Sequence, residues 1–140
     1  MLILQPHIFK KFKDLEFGFS TRIGDNETGP YCFNLSLSVG DDKERVLKNR
    51  NKFFNALGLS FESAVIQKQV HGDKINYVTK PGNAGESDAL VTDKPGLTLC
   101  ISTADCTPIF IYDQKIKIIA AVHSGWRGTQ KKILHKKSPH

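Results

Sequence analysis

Residues 97–126 read LTLCISTADCTPIFIYDQKIKIIAAVHSGW, and this stretch decides the class of fold. Three runs within it, at 97–101, 109–112 and 116–122, are rich in β-branched residues and are separated by polar turns, a pattern that predicts short strands. The runs are almost uniformly apolar, which is typical of a sheet that is covered on both faces. We therefore expect helices to pack against a central β-sheet.

One strong helix is predicted elsewhere in the chain. Asp41 and Glu44, three residues apart, resemble a capping box with Asp41 as the N-cap, and Gly58 stands where a C-terminal glycine would. The apolar residues at helical spacing between them are Val46, Leu47, Phe53, Phe54 and Leu57. The remaining predicted elements are strands at 17–21, 64–70, 75–79 and 90–92, a loop at 24–31 and a second helix at 124–135. Because so few helices cannot cover both faces of a sheet, we expect a single domain, 1–140, that holds only the N-terminal part of its fold.

The composition is that of an ordinary globular protein, with 39% hydrophobic and 24% charged residues. The net charge of +6 comes mostly from a basic tail at 130–140, since it falls to +2 without the four lysines there, and a nucleic-acid-binding surface is not expected. No apolar run approaches the roughly 20 residues that span a bilayer, and no signal-peptide pattern opens the chain. The three cysteines are odd in number and irregularly spaced, which argues against a disulfide framework. We expect a cytoplasmic protein with no membrane partner.

Two histidines and a cysteine stand where predicted strands give way to turns. His71 directly precedes Gly72, and His123 lies two residues before Gly125. Cys106 lies between two apolar strands, 35 residues after His71 and 17 before His123, and these separations match no local zinc motif. If the three side chains converge, two imidazoles and a thiolate suit zinc, with a fourth position open as in catalytic sites.

Simpler interpretations of the same residues stay open. A cysteine between strands is most often a small buried hydrophobe, and a histidine beside glycine is more often a hydrogen-bonded turn residue than a ligand. A second reactive interpretation is a metal-free cysteine hydrolase, in which Cys106 is the nucleophile, His123 the base and Asp105 a nearby acid.

A series of motifs makes the sequence resemble the YfiH family, which is also described as laccase-domain or polyphenol oxidase proteins and as purine nucleoside phosphorylases. The motifs are FSTR at 19–22, NL at 34–35, VGDD at 39–42, NR at 49–50, KQVHG at 68–72, SDALVT at 87–92, TADC at 103–106 and HSGWRGT at 123–129. Their combination, in this order from about residue 18 to residue 129, is specific where no single motif would be. Family members are considerably longer, and the usual HAGWRG has Ser124 here in place of alanine, a change that we expect to be tolerated.

The resemblance implies an α/β (α+β) sandwich in which a mixed β-sheet is flanked by helices. It also implies a zinc ion held by His71, Cys106 and His123. The implied activity is cleavage of a purine nucleoside (adenosine, inosine, guanosine or methylthioadenosine) with phosphate, and in some members deamination of adenosine. Water activated by zinc at this site suits the deamination.

Several polar residues fall on positions that line the family's pocket. The resemblance implies this for Lys68, Asp105 and Arg22, and more weakly for Asn34. Phosphorolysis needs cations that hold phosphate against the sugar, and Arg22, Lys68 and Arg127, by default surface charges, are the candidates. Asp105 is the candidate general acid or base.

The laccase description implies copper, which the residues do not favour. A multicopper oxidase needs many imidazole ligands, and this chain has five histidines, three of them near the termini. We therefore expect zinc and not copper. An inactive truncated fragment is the alternative to an active enzyme, because the expected remainder of the pocket is not in the chain.

Overall fold

The computed structural model describes residues 1–24 and 29–136. The chain divides into two compact units, Met1–Phe61 and Glu62–His140. Two predicted segments lie partly outside the described residues: the loop at 24–31 and the basic tail at 130–140. The assignment of the whole chain to one domain stays a prediction.

The first unit is built of short elements and one longer helix. Its elements are β1 (Ile3–Leu4), α1 (His7–Lys10), β2 (Phe19–Ser20) and α2 (Lys43–Ala56). β1 and β2 pair antiparallel, so the strand predicted at 17–21 is present but shorter. Among the residues that the structure describes, no helix is both long enough and apolar enough to cross a membrane.

The N-terminus of α2 corrects the predicted cap by one residue. The N-cap is Asp42, whose side chain accepts a hydrogen bond of 2.8 Å from the Arg45 backbone N–H. Asp41 instead accepts hydrogen bonds from the Asp42 N–H and the Arg45 guanidinium. The pattern does not separate two adjacent aspartates, because both are good caps. At the other end, Gly58 has a φ of +69° and donates its N–H to the Asn55 carbonyl, as predicted for a C-terminal glycine.

The buried face of α2 differs from the predicted apolar stripe at two positions. Val46 and Phe54 are buried as expected, but Leu47 is 37% exposed. Consecutive helical residues point about 100° apart, so Val46 and Leu47 do not share one face. Asn49 is buried on this face, and its amide donates to the Asn34 carbonyl at 3.1 Å. A satisfied polar side chain therefore takes part in a stripe predicted to be apolar.

The described strands of the second unit form two sheets. Its elements are β3 (Ala64–Lys68), β4 (Ile75–Tyr77), β5 (Gly82–Glu86), β6 (Ala89–Thr92), β7 (Thr98–Leu99), β8 (Thr107–Asp113), β9 (Ile118–Ser124), α3 (Trp126–Gln130) and a 3₁₀ turn (Ile133–His135). One sheet is entirely parallel, in the order β5-β3-β7. The other has the order β4-β6-β9-β8, in which only β4 and β6 are parallel. The predicted α/β (α+β) class with a mixed β-sheet is confirmed.

Two predicted runs of the 97–126 stretch form one long hairpin. β8 and β9 pair from Thr107 opposite Ser124 to Asp113 opposite Ile118. The Asp113 side chain closes the turn by accepting a hydrogen bond of 2.8 Å from the Lys115 N–H. This hairpin carries the TADC and HSGWRGT motifs to the same end of the sheet.

Two elements of the second unit differ in kind from the predicted ones, whereas others, such as β3 and β7, are only shorter. β5, with the sequence GNAGE, has a single apolar residue and so lacks the alternation by which strands are recognised. The helix predicted at 124–135 is split into α3 and the 3₁₀ turn at Lys132, whose φ of +56° is incompatible with a continuous helix.

β6 lies between two apolar clusters. Leu90 packs with Val65 and Val78, whereas the preceding Ala89 packs with Val122 and Ile133. Successive strand residues face opposite sides of a sheet, which explains how neighbours enter different clusters. The residue directly before β6 is therefore held in place by apolar packing on both faces of the sheet.

Candidate metal centre

Three reactive side chains that are distant in sequence meet in the second unit. One ring nitrogen each of His71 and His123 and the sulfur of Cys106 lie within 4.8 Å of one another. His71 is exposed, Cys106 is half-buried and His123 is only 2% exposed. The convergence on which the zinc interpretation depends is present.

Strand ends bring these side chains together. His71 follows β3 in a turn, Cys106 directly precedes β8, and His123 is the next-to-last residue of β9. Pro108 stands opposite His123 in the β8–β9 register, and Cys106 lies two residues before Pro108. The pairing of β8 with β9 therefore sets Cys106 beside His123.

The two imidazoles lie at right angles. The ring centroids of His71 and His123 are 4.8 Å apart, and the ring planes are inclined by 86°. Nδ1 of His123 is 2.8 Å from Oδ1 of Asp88, so Nε2 is the nitrogen left to face a metal ion. A ring nitrogen bound to a carboxylate in this way is the usual arrangement behind a histidine ligand.

Asp88 also holds the turn that carries His71. This carboxylate is 0% exposed and accepts backbone N–H bonds from Val70 at 3.3 Å, His71 at 3.0 Å and Gly72 at 2.7 Å. Sequence reasoning assigned no role to Asp88, although it falls within the SDALVT motif. Its signal was a carboxylate directly before the apolar run Ala89-Leu90-Val91 of a buried strand, a position that acids occupy only when they are well bonded.

The loop that carries Cys106 is tied to the strand that leads to His71. The Gln69 amide donates to the Ser102 carbonyl and accepts from the Ser102 N–H, both at 2.7 Å. Within the loop, the Thr103 hydroxyl donates to the Cys106 carbonyl. Gln69 is thus a second residue of the site that sequence reasoning missed, although it lies in the KQVHG motif.

Because Gly125 has no side chain, the three side chains of the cluster can pack against its backbone. A Cβ atom at this position would lie 3.1 Å from Cδ2 of His71 and 3.3 Å from Sγ of Cys106. It would also lie 3.8 Å from Cε1 of His123. The φ of Gly125 is −73°, which any residue adopts, so the site requires the missing side chain and not unusual backbone freedom.

α3 packs directly on the turn of His71. A Cβ atom on Gly128 would lie 2.8 Å from the Gly72 carbonyl oxygen, which is too close for any side chain. The Ser124 hydroxyl is 2.8 Å from the Thr129 hydroxyl, so the serine that replaces the usual alanine has a partner within α3. The HSGWRGT motif therefore builds the wall of the site as well as supplying His123.

The donor set fits a tetrahedral zinc ion. Zinc bonds of about 2.0–2.1 Å to nitrogen and 2.3 Å to sulfur place ligand atoms roughly 3.3–3.7 Å apart. The donors of His71, Cys106 and His123 are at most 4.8 Å apart, so small side-chain rotations would close them on an ion. The cradle left by Gly125 and the carboxylate behind His123 are both features of a ligand cluster.

Lys68, predicted to bind phosphate, forms an ion pair at the surface. Its Nζ lies 2.8 Å from Oε1 of Glu86, and both side chains are exposed. The hydrogen bond and the charge of Glu86 raise the pKa of Lys68, and Lys68 lowers the pKa of Glu86 by the same two effects. At neutral pH, Lys68 is therefore a cation and not a proton acceptor.

Asp105 and Arg127 are exposed residues of the same unit. Asp105 directly precedes Cys106 in the chain. The Arg127 guanidinium lies 5.0 Å from the centroid of the Trp126 ring, which is itself 69% exposed. Both charged residues are exposed. Asp105 adjoins a residue of the cluster in the chain, whereas Arg127 contacts Trp126.

Arg22 and Asn34 belong to the first unit. An Arg22 Nη donates to the Pro30 carbonyl at 3.2 Å. The Asn34 amide nitrogen donates to the Ser36 carbonyl at 2.8 Å and to Asp41 at 2.9 Å, and its oxygen accepts from the Ser36 N–H at 2.8 Å. Asn34 thus stabilises its own loop, and the binding roles of both residues stay predictions.

The sequence and the fold have clear relatives. Residues 16–138 match the family described as multi-copper polyphenol oxidoreductase laccase. A purine nucleoside phosphorylase of Corynebacterium glutamicum is 37% identical over 123 residues, which cover 84% of this chain and 50% of the relative.

Two solved structures are similar to the chain. YlmD from Geobacillus stearothermophilus has a TM-score of 0.78 at 34% identity, over 83% of this chain and 47% of its own. The hypothetical protein YfiH of Bacillus licheniformis has the same TM-score at 31% identity, over 83% of this chain and 48% of its own. The chain spans about half the length of the relatives that it matches.

Proposed function

The chain belongs to the multi-copper polyphenol oxidoreductase laccase family, and on that basis we propose that the protein is a zinc-dependent purine nucleoside phosphorylase. It would convert adenosine, inosine, guanosine or methylthioadenosine and phosphate into a base and a sugar 1-phosphate. The convergence of His71, Cys106 and His123 carries the proposal. Two relatives carry the name purine nucleoside phosphorylase, which supports this reaction.

Zinc is the ion that this donor set favours. Two imidazoles and one thiolate leave a fourth position for substrate or water, as in catalytic zinc sites. When bound, zinc would supply a Lewis acid, which also suits deamination of adenosine, a second reaction that we include in the proposal. In the described part of the chain, one cluster of three ligands was found, which suits a single ion and not a multicopper centre.

The polar residues predicted to line the pocket have distinct proposed roles. Lys68, a cation paired with Glu86, would attract phosphate, as would Arg127 in the same unit. Arg22, in the first unit, keeps the phosphate-binding role that its motif predicts. Asp105, exposed and next to Cys106 in the chain, would donate a proton to the leaving purine base or take one up as a general base. Asn34 is the weakest candidate, because its amide is already bonded within its loop.

A second candidate, a cysteine hydrolase, is favoured by one contact. Asp88 binds Nδ1 of His123, and the other ring nitrogen lies on the side of Cys106, which is the order of groups in a catalytic triad. Asp88 would then take the place of Asp105 as the orienting acid. His71 has no role in this mechanism, whereas a metal site uses all three residues, so we prefer the metal site.

Metal content and phosphate dependence test the proposal together. The purified 140-residue chain is analysed for zinc and copper by mass spectrometry, and inosine is incubated with and without phosphate while hypoxanthine is measured by chromatography. We expect one zinc per chain and release of hypoxanthine only with phosphate. Cys106→Ser should lose both the zinc and the activity.

Other outcomes separate the alternatives. Stoichiometric copper would contradict the choice of zinc. A metal-free protein that resists chelators but is inactivated by thiol alkylation would favour the cysteine hydrolase. Bound zinc without phosphorolysis would favour the inactive fragment. A cytoplasmic location is part of the proposal and is supported by the three free cysteines, Cys32, Cys100 and Cys106.

A further inference from the structure

We propose that Asp88 is the positioning residue of the metal centre, since its one carboxylate orients His123 through the ring and His71 through the backbone. The inference rests on the metal site of the proposed function but does not depend on which reaction the site performs. Asp88 would not bind the ion itself.

The two carboxylate oxygens of Asp88 divide four donors between them. Oδ1 faces Nδ1 of His123 at 2.8 Å and the N–H of His71 at 3.0 Å. Oδ2 faces the N–H of Gly72 at 2.7 Å and the N–H of Val70 at 3.3 Å. An ionised carboxylate has about four acceptor positions, so these four donors match its full capacity.

The contact with the ring selects the tautomer of His123. A carboxylate only accepts hydrogen bonds, so Nδ1 of His123 must carry the proton that lies between them. The lone pair is then on Nε2, which a metal ion requires. The backbone of Asp88 adds a second restraint, because its carbonyl accepts the N–H of His123 at 2.7 Å.

The contacts of Asp88 with the turn fix the backbone conformation of His71. Three successive N–H groups, from Val70 to Gly72, point at the same carboxylate, an arrangement that binds anions. His71 has a φ of +56° within this turn, a conformation that a residue with a side chain adopts only when its surroundings impose it. The three bonds to Asp88 supply that constraint.

Asp88 occupies the right place to link the two ligands. It directly precedes β6, whose residues Ala89 and Leu90 are anchored in two separate apolar clusters. The residue is 0% exposed, so bulk solvent does not reach its oxygens. A rigid buried acceptor of this kind limits the movement of the His123 ring and of the His71 backbone before an ion binds.

Asp88→Asn tests the inference, because asparagine has the same size but one acceptor oxygen. If the amide oxygen keeps the hydrogen bonds from the His123 ring and the His71 N–H, the amide N–H₂ faces the N–H groups of Val70 and Gly72, and donor then opposes donor. If it is turned the other way, the amide donates to Nδ1 of His123 and moves the ring proton to Nε2, where it blocks the metal. Either orientation should weaken zinc binding about 10- to 100-fold.

The affinity is measured by competition of the 140-residue chain with a chromophoric zinc chelator. Asp41→Asn is the matched control, since Asp41 is also a buried aspartate (side chain 1% exposed) bonded to a backbone N–H and to side chains, but in the first unit. We expect the control to lose stability and to keep the zinc affinity of the natural sequence. Equal affinities of Asp88→Asn and the natural sequence would overturn the inference.

The tautomer of His123 gives a readout that a purely structural role would not change. In the zinc-free natural sequence, ¹⁵N shifts of the neutral imidazole should show the proton on Nδ1, and a proton on Nε2 alone would overturn the inference even if Asp88→Asn fails to fold. If the natural sequence binds no zinc, the metal site of the proposed function fails and the inference with it. Zinc bound equally well by both forms refutes the role of Asp88 alone.

Discussion

Gly125 approaches Cys106 so closely that a Cβ atom on the glycine would lie 3.3 Å from the cysteine sulfur. Such a contact is tight, and the same atom would be 3.1 Å from the His71 ring. The cluster therefore has no room for even the smallest side chain unless one of its members moves.

Gly125→Ala should weaken zinc binding on the order of tenfold, because the methyl group displaces Cys106 or His71 from the ion. The backbone at Gly125 tolerates alanine, so the free energy of unfolding of the zinc-free protein should change little. Chelator competition and thermal denaturation measure the two effects. Gly18→Ala is the control: the atoms nearest to its methyl group would be those of the Leu57 side chain in the first unit, so it should affect stability and not zinc. Equal zinc affinities of Gly125→Ala and the natural sequence would contradict the tight contact.

Gln69→Ala should loosen the loop of Cys106. The substitution removes both hydrogen bonds to the Ser102 backbone, which together stabilise the native state by about 1–2 kcal/mol. Zinc affinity should fall as well, since the thiolate loses its fixed position. Asn76→Ala is the matched control, because Asn76 also bonds a backbone carbonyl, that of Ala84, in the same unit. A loss of zinc affinity as large in Asn76→Ala as in Gln69→Ala would show that general destabilisation is the cause.

Removal of zinc should lower the thermal stability of the protein. An ion that binds only the native state, present at 100 times its dissociation constant, raises the free energy of unfolding by about 2.7 kcal/mol. We therefore expect the melting temperature to fall with a chelator and to recover with added zinc. Cys106→Ser should show a much smaller zinc-dependent rise. If the melting temperature of the natural sequence does not change with zinc, this would argue against a zinc site in the folded protein.

Glu86→Gln should lower the pKa of Lys68 towards its ordinary value of 10.5, because the hydrogen bond and charge of Glu86 are what raise it. The pKa is measured by NMR titration of the lysine ε-methylene group. Lys94 is an internal control, since its own pKa is raised by Asp93, 3.0 Å away, and should not respond. If both lysines shift equally, the effect of Glu86 is not local.

Asp41 should make the stability of the protein depend on pH in the acid range. Burial raises the pKa of Asp41, but hydrogen bonds from Asn34 and Arg45 outweigh it and hold the pKa below its ordinary value of 3.8. A carboxyl whose folded pKa is lowered stabilises the native state above its unfolded pKa and loses this effect as the pH falls through its folded pKa. The difference in melting temperature between the natural sequence and Asp41→Asn should therefore be full at pH 6 and shrink below pH 3.8. A difference that stays constant with pH would contradict this assignment.

The positions of the reactive residues could be predicted because local motifs mark them. His71, Cys106 and His123 stand beside glycine or proline turns at predicted strand ends, and β8 and β9 have the expected apolar composition. The register that sets Cys106 beside His123 is a property of the paired strands. No spacing along the chain specifies it.

The supporting contacts could not be predicted in the same way. Asp88 bonds His123 across 35 residues, and Gln69 bonds Ser102 across 33, so neither interaction has a local pattern. Burial is also decided by the three-dimensional neighbours, which is why Leu47 is exposed while Asn49 is buried. β5 was not predicted because a glycine-rich strand is held by pairing with the neighbouring strand and not by its own β-propensity.

The left-handed backbone of His71 also bears on which substitutions each position tolerates. Lys117 and Lys132 have nearly the same φ, +55° and +56°, and glycine would adopt these conformations without strain. At His71, glycine would relieve the backbone equally well but would remove an imidazole. Replacement by glycine should therefore be tolerated at the two lysines and not at the histidine. A residue with a left-handed backbone that is never replaced by glycine thus has a side chain that the protein needs.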